Sequence, residues 1–375
     1  MNCLKHGVSP ATRHDGTNFT HHDARVRLPP GQALPRSALL QIRGDWEWLC
    51  QCFRFRHFSS ESLCWQCQAT QTGPMSYMDV RPTAAHRGTL ISHEEYIREC
   101  IQARQQPSAL FVCPGFRLEH VALDSMHCGD LGVFQDAIGG IFYAEVSNRD
   151  WHPSFGVGVQ ALNKQLRDYF AANPHLSRIH LTMNMIKDKK TGVPSLKSKA
   201  AECRHLSGFC LMLAHKHAAG SATRRALTFR DERLQPYLEE DRHLIVGLAS
   251  NLHHYHETCS QEPFDCIDCK RAMYGFLQSM SDLRLLFRRH LPAERHGQMP
   301  FPFRPKAHQL QHLVEDKIPL WLSPKHFWCY SDEDFVGLMK RICTMTKHPP
   351  SMERVLLDKF RFFAGLNALA HREQP

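Results

Sequence analysis

The sequence predicts an α/β protein in which a large all-α segment interrupts a smaller mixed part. Two short apolar runs, at residues 37–45 and 118–124, each stop at an aspartate and lead into helix-like text, as strands followed by helices do. From about residue 156 to 320, apolar residues recur almost only at spacings of three and four, which is the period of helices. Another helical pattern begins after Ser331. The strands are therefore expected early in the chain and the helices mainly after them.

Composition narrows the class of protein. The 375 residues are 42% hydrophobic and 22% charged, which suits a sizeable core and excludes a wholly disordered chain. No run of about 18 apolar residues predicts a membrane span, and the first residues lack the apolar stretch of a secretory signal. We expect a soluble nuclear or cytoplasmic protein with no membrane partner and with its 15 cysteines reduced. The net charge of +9 suits a nucleic-acid-binding protein and an ordinary basic protein equally.

Four segments follow in order. Residues 1–36, rich in His, Pro, Gly and Thr, indicate a poorly ordered N-terminal arm, and residues 37–150 a partial α/β part with a Cys-x-x-Cys segment. Residues 151–320 form the helical insertion, and residues 321–375 form C-terminal helices, the first with Ser331 as its cap. The clearest helical stripe consists of Met273, Phe276, Leu277, Met280, Leu283 and Phe287.

Three acids are candidates for a divalent-metal site, namely Asp45, Asp124 and Glu333. Carboxylates at the ends of neighbouring strands can converge, and hard oxygen ligands suit Mg²⁺ or Mn²⁺. Each acid also has a structural interpretation: Asp124 can cap a helix, Asp45 can be a turn residue, and Glu333 lies where a helix dipole favours negative charge. His127 would share a helical face with Asp124 and orient its carboxylate, or would be a half-buried histidine without that role.

Two cysteine pairs have the spacing of zinc ligands, Cys64 with Cys67 and Cys266 with Cys269. The two pairs can share one tetrahedral Zn²⁺, each pair can recruit other ligands, or the cysteines can be ordinary thiols. The candidate additional ligands are His86 for the first pair and His253, His254, His256 or Cys259 for the second.

His308 and His312 are one helical turn apart and can bind a metal or a phosphate together, although a solvated helix face is the commoner explanation. Lys306 and His308, with Lys340 and Arg341 further on, are the candidate nucleic-acid contacts, because such cations suit backbone phosphates. A second basic group consists of Arg284, Arg288, Arg289 and His290.

Five passages between residues 38 and 348 together resemble DDE-type cut-and-paste transposases of the CACTA and Plavaka-like groups. The passages are IRGDWEWL, LCWQCQATQTG, LDSMHCGDLGVFQDAIGG with its Asp-x-x-His, RPKAHQLQHLVEDKIP with its Lys-x-His, and WCYSDEDFVGLMKRI. Each passage alone is moderately specific, and their order in one chain is more persuasive. The resemblance implies a ribonuclease-H-like core interrupted by the helical insertion. It also implies Mg²⁺- or Mn²⁺-dependent cleavage and transfer of DNA strands.

The resemblance also assigns roles to residues. It makes Glu333 the last metal-binding acid, Asp124 and His127 an accessory pair, and Asp45 the second acid. The family's first acid lies on an upstream strand that no residue before Asp45 matches. Either Asp45 and Asp124 serve as the first two acids or, as we favour, the chain is a truncated copy that cannot cut DNA.

Two functions are therefore expected as alternatives. One is a transposase-derived protein that has kept or lost its ancestral cleavage of DNA, and the other is a non-catalytic, zinc-stabilised DNA-binding protein. A third, a zinc-dependent hydrolase, lacks a compact ligand motif. The sequence leaves open whether the chain forms a homo-oligomer.

Overall fold

The computed structural model describes residues 41–113, 115–147, 152–219, 238–290, 298–321, 323–330 and 337. The chain divides into two compact units, Met1–Trp328 and Cys329–Pro375, and every element named below belongs to the first. The predicted arm at 1–36 lies outside the described residues, and so do Ser331, Glu333, Lys340 and Arg341. No described helix is long and apolar enough to cross a membrane.

The two predicted strands pair with each other. Strand β1 (Ile42–Gly44) runs parallel to β2 (Val121–Leu123), with Ile42 opposite Val121 and Gly44 opposite Leu123. The amide of Asp124 extends this pairing by donating to the carbonyl of Gly44 at 2.9 Å. The described residues form this one two-stranded sheet within a mostly helical chain, so the α/β prediction is confirmed in coarse form. They do not display a ribonuclease-H-like core.

Helices occupy most of the described chain, as predicted for the long middle segment. They are α1 (Trp46–Phe53), α2 (His93–Gln102), α3 (Phe134–Ser147), α4 (Phe155–Ala172), α5 (Met183–Ile186), α6 (Ala200–His205), α7 (Ser207–Ala219), α8 (Leu238–Ser260), α9 (Cys266–His290), α10 (Pro305–His312) and α11 (Ile318–Trp321). Single 3₁₀ turns lie at Ala85–Gly88, Ala109–Val112, Leu118–His120 and Pro324–Phe327, and π-helical segments lie at Met126–Val133 and Leu313–Lys317.

Local capping chemistry explains where several helices begin. Ser92 and Glu95 form a reciprocal capping box at the start of α2, and the side chain of Ser154 caps α4. The carboxylate of Asp45 caps α1 by accepting from the amide of Trp48 at 2.7 Å. Helix α1 ends at Arg54, whose φ of 61° is left-handed.

Helices α8 and α9 form the largest helical pair. Gly247 approaches Ser279 while Gly275 approaches Asn251, so the two helices run antiparallel. The predicted stripe of α9 is confirmed, because all six of its side chains are buried in the core. Phe276 from this stripe also meets Phe134 of α3 edge to face, with ring centroids 5.2 Å apart. This contact joins the hairpin to the segment that follows β2.

Helix α3 touches the backbone of a later loop at a glycine. The amide of Leu196 donates to the carbonyl of Gln135 at 2.9 Å, which holds the loop against the helix. A Cβ atom at Gly139 would lie 2.4 Å from the backbone nitrogen of Leu196 and 2.5 Å from Ser195. Only a residue without a side chain permits this approach.

We predict that Gly139→Ala lowers the free energy of unfolding by about 1–3 kcal/mol, because the added methyl group must displace backbone rather than a flexible side chain. Gly156→Ala is the matched control, since Gly156 is also helical and nothing lies within 4 Å of its added Cβ. It should be neutral or stabilise by up to about 1 kcal/mol. Chemical denaturation of the two variants checks this, and equal effects would contradict the close approach.

Candidate metal centre

Two distant segments meet at one buried cluster. Cys64 and Cys67 lie in the loop after α1, and His308 and His312 lie one turn apart on α10. The side chain of Gln66 links the segments by donating to Oε1 of Gln309 at 3.0 Å. All four cysteine and histidine side chains are fully buried. The i, i+4 spacing puts both imidazoles on the helix face that receives the loop.

The distances among the four side chains suit a single tetrahedral ion. Nε2 of His312 lies 3.5 Å from Sγ of Cys64 and 3.4 Å from Sγ of Cys67, and Nε2 of His308 lies 3.4 Å from Sγ of Cys67. The two Nε2 atoms are 3.1 Å apart, and all four ligand atoms lie within 4.8 Å of one another. Tetrahedral Zn²⁺ with ordinary Zn–S and Zn–N bonds separates its ligand atoms by about 3.3–3.8 Å.

Hydrogen bonds around the cluster orient its ligands. Nδ1 of His312 donates to Oδ2 of Asp316 at 2.6 Å, and the guanidinium of Arg87 donates to the same carboxylate at 2.8 Å. The amide of Gln66 and the side chain of Gln309 donate to Sγ of Cys64 at 3.2 and 3.4 Å. A carboxylate behind a histidine and N–H groups aimed at a sulfur are the usual surroundings of metal ligands.

The surroundings of His308 and Cys64 favour the protonation states in which these side chains bind a metal, namely a neutral imidazole and a thiolate. Burial lowers the pKa of His308 to about 4, so its imidazole is neutral at pH 7. Burial opposes ionisation of Cys64, but its hydrogen bond with Cys67 and the charge of His312 bring its pKa well below the ordinary value. The same hydrogen bond and burial raise the pKa of Cys67.

The four residues therefore fit Zn²⁺. Two sulfur and two nitrogen donors are a frequent structural zinc set, and their complete burial leaves no position open to a substrate. Nδ1 of His308 has no hydrogen-bond partner among the described residues, so His308, unlike His312, lacks the acceptor that usually orients a ligand histidine. Within the described ranges, no other group of three or more potential ligands gathers in this way. His86 packs edge to face on His308, but its Nε2 faces the amide of Gln311 at 3.3 Å.

The second cysteine pair is not part of a comparable group in the described chain. Cys266 is half-buried at the start of α9, and Cys269 is fully buried beside Cys259. The histidines proposed as its additional ligands have other partners. His253 pairs with Glu257 at 3.3 Å, His254 with Asp268 at 2.7 Å and His256 with Asp130 at 3.5 Å.

The predicted acids lie at the strand ends. The parallel register places Asp45 and Asp124 next to each other, directly after β1 and β2. Asp124 is fully buried, and Oδ2 accepts from the amide of His127 at 2.9 Å and from its Nδ1 at 2.5 Å. Asp124 and His127 are therefore in direct contact, and the role of His127 toward the carboxylate stays a prediction. Asp45 is half-buried and caps α1, which is a structural role other than the predicted turn residue.

A cavity of about 480 Å³ opens at these strand ends, and we call it the strand-end cavity. Its charged and polar lining includes Asp45, Glu47, His127, Gln135, Asp136, Ser195, Arg304 and Lys306. Nε of Arg304 donates to Oδ2 of Asp136 at 3.1 Å, and burial raises the pKa of that carboxyl to about 6. Asp136 and Arg304 lie in two of the passages quoted for the resemblance, but neither was predicted as a site residue, because their sequence separation hides the pair.

The predicted nucleic-acid residues fall into three places. The ammonium of Lys306 is in the wall of the strand-end cavity and donates to the carbonyls of His127 and Leu131 at 2.8 and 3.1 Å. His308 is fully buried in the metal cluster, which suits its predicted metal role rather than contact with DNA. Lys340 and Arg341 are outside the described residues, as is Glu333.

Comparisons with known proteins do not assign this chain to a family, so the assignment of the metal centre depends on its geometry. No model of a known protein family matches this chain, and searches of characterised proteins and of solved structures return no significant match.

We predict that the purified protein binds one Zn²⁺ per chain and that Cys67→Ser lowers its zinc affinity by at least about 10–100-fold, which is the effect of losing even a supporting partner of a ligand. Cys266→Ser is the matched control, because Cys266 also opens a Cys-x-x-Cys pair but lies outside the cluster. Metal analysis after competition with a chelator measures both variants. Equal zinc loss in the two variants, or none in Cys67→Ser, would contradict the assignment.

Proposed function

We propose that this chain is a transposase-derived DNA-binding protein stabilised by one structural Zn²⁺. The observation that carries the proposal is the meeting of the Cys-x-x-Cys and Lys-x-His passages at one buried cluster. These two passages were separate parts of the resemblance to DDE-type transposases. Their joint site gives a physical reason for both to be present in one chain.

Helix α10 links the zinc ligands to a candidate DNA-binding surface. His312 is its last residue, His308 is at its middle, and Lys306 in its first turn is in the wall of the strand-end cavity. Arg304 immediately precedes the helix and lines the same cavity. Zinc bound to His308 and His312 would therefore fix the position of the whole helix, including Lys306 and the adjacent Arg304.

Arg304 is the best-placed group for a DNA phosphate. Its side chain is about half exposed (52%), whereas that of Asp136 is 4% exposed, so the buried carboxylate holds the guanidinium from behind. At pH 7 most of Asp136 is ionised, because its pKa of about 6 lies below that pH. The guanidinium keeps further N–H donors for a phosphate, which it binds in bidentate geometry. The overall charge of +9 favours the approach of a polyanion.

We predict that the zinc-loaded protein binds DNA with an affinity that falls as salt rises, and that Arg304→Gln weakens binding about tenfold by removing a charged hydrogen bond to phosphate. The matched control is Arg271→Gln, since Arg271 is also an exposed arginine paired with an aspartate, Asp268 at 3.1 Å. It does not line the cavity and should bind as the parent does. Fluorescence anisotropy with labelled duplex DNA measures this. Absence of binding at low salt would end the DNA proposal.

A second function, Mg²⁺-dependent cleavage of DNA strands at the same cavity, is favoured by the register of β1 and β2. That register sets Asp45 beside Asp124, and the cavity exposes the carboxylate of Asp45 together with His127. Asp45 would supply hard oxygen to Mg²⁺ or Mn²⁺, while Asp124 positions His127 from the interior. A bound divalent ion would supply activation of the attacking oxygen.

We predict for this second function that any Mg²⁺- or Mn²⁺-dependent nicking of labelled DNA is lost in Asp45→Asn. Asparagine caps a helix about as well as aspartate, so the variant removes the charge and keeps the cap of α1. Zinc content and thermal stability should therefore match the parent. Nicking that survives in Asp45→Asn would exclude Asp45 from the reaction, and binding without any nicking would favour the non-catalytic function.

A further inference from the structure

A second cavity, distinct from the strand-end cavity, lies against the metal-binding loop. Its volume is about 490 Å³, within the range of small-molecule sites. Its apolar walls come from Phe55, Trp65, Ile91 and Tyr96, and its polar rim comes from Arg54, Arg56, Glu99, Gln102 and Gln105. We call it the loop cavity.

The walls of the loop cavity are mainly aromatic side chains that pack on one another. The rings of Phe55 and Trp65 stack with centroids 4.9 Å apart and an interplanar angle of 1°, and Tyr96 meets Phe55 edge to face. These side chains are 6%, 2% and 6% exposed. The indole Nε1 of Trp65 is buried and has no hydrogen-bond partner among the described residues. A buried N–H without a partner is costly, so a small shift of the indole that lets a ligand accept from it would remove that cost.

The rim of the loop cavity carries more positive than negative charge. Arg56 pairs with Glu99 at 3.0 Å, which leaves the charge of Arg54 in excess. Within the described part of the chain, no salt bridge engages Arg54, whose side chain is exposed. Its backbone has a φ of 61°, a left-handed conformation that an arginine adopts at a cost. The site therefore suits a ligand with an anionic group and a flat apolar group.

We infer that the loop cavity binds a nucleoside 5′-phosphate unit, either as a free nucleotide or as one nucleotide of a single strand. The phosphate would lie on Arg54 and Arg56, and the base would occupy the aromatic walls, where base–aromatic contacts are worth about 1–3 kcal/mol per base. The amides of Gln102 and Gln105 offer donors and acceptors to the edge of the base.

The metal-binding loop builds one wall of this cavity. Trp65 lies between the two cysteine ligands, and the guanidinium of Arg56 donates to the carbonyl of Cys64 at 3.3 Å. Zinc and the nucleotide would therefore stabilise the same loop conformation. By linkage, each should then bind more tightly when the other is present.

The zinc-loaded full chain is titrated by calorimetry with deoxyadenosine 5′-monophosphate, deoxyadenosine, inorganic phosphate and a single-stranded deoxyadenosine oligomer. We expect the monophosphate to bind at least about tenfold more tightly than either of its parts. Tighter binding of the oligomer would assign the site to single strands, and equal binding would assign it to free nucleotides. No binding of the monophosphate, or binding no tighter than that of phosphate alone, would overturn the inference.

Two left-handed arginines provide a matched pair of variants. Arg54 and Arg104 both follow the end of a helix with positive φ, but only Arg54 lines the cavity. Asparagine tolerates this conformation, so both substitutions should leave the fold intact. Arg54→Asn should weaken binding of the monophosphate about tenfold and Arg104→Asn should not change it. Equal effects would contradict a site at Arg54.

The loop cavity can be tested apart from DNA binding at the strand-end cavity. Trp65→Phe keeps an aromatic wall but removes the indole donor and part of the ring, so it should weaken nucleotide binding while zinc content stays unchanged. Arg304→Gln should leave nucleotide binding unaffected, because Arg304 does not line the loop cavity. Loss of nucleotide binding in Arg304→Gln would place the ligand in the strand-end cavity and contradict this inference.

Discussion

The structure depends on the contact between the Cys-x-x-Cys loop and the histidine face of α10. Cys67 and His308 are 241 residues apart in the chain, so their contact joins an early loop to a helix near the end of the described residues. Without a metal, the cluster would hold two cysteine and two histidine side chains, fully buried and with few other polar partners. A bound ion satisfies the four donors at once, and its binding free energy becomes folding free energy. Arg87 and Asp316 extend this contact by fixing His312.

Sequence patterns predicted the local parts of this arrangement. Strand-to-acid runs located Asp45 and Asp124, helical periodicity located the α9 stripe, and the spacing of Cys64 with Cys67 and of His308 with His312 marked metal ligands. The sequence did not join the two ligand pairs, because periodicity reports neighbours within one element and carries no information on partners far along the chain. It instead left the second cysteine pair as a further candidate. One available signal was chemical: two sulfur donors and two nitrogen donors complete one zinc set.

Irregular backbone lies where the prediction of a regular helix fails. The text after Asp124 predicted a helix, but the chain first forms a π-helical segment over Met126–Val133 with non-helical torsions at Leu131 and Gly132. Such segments are frequent at functional sites. Here the carbonyls of His127 and Leu131 accept from the ammonium of Lys306. This long-range contact with Lys306, which only the folded chain makes, outweighs the local preference for a regular helix.

The same contact explains why the cluster and the strand ends behave as one structure. A Cβ atom at Gly132 would lie 2.7 Å from the side chain of Lys306, so α10 rests directly on the segment that carries His127. Burial lowers the pKa of Lys306, yet two carbonyl acceptors hold its charged form in place. A displacement of α10 at its histidine end would therefore move Lys306 away from those carbonyls and loosen His127. The metal ligands and the carboxylates of Asp45 and Asp124 differ in chemistry, but the position of both depends on α10.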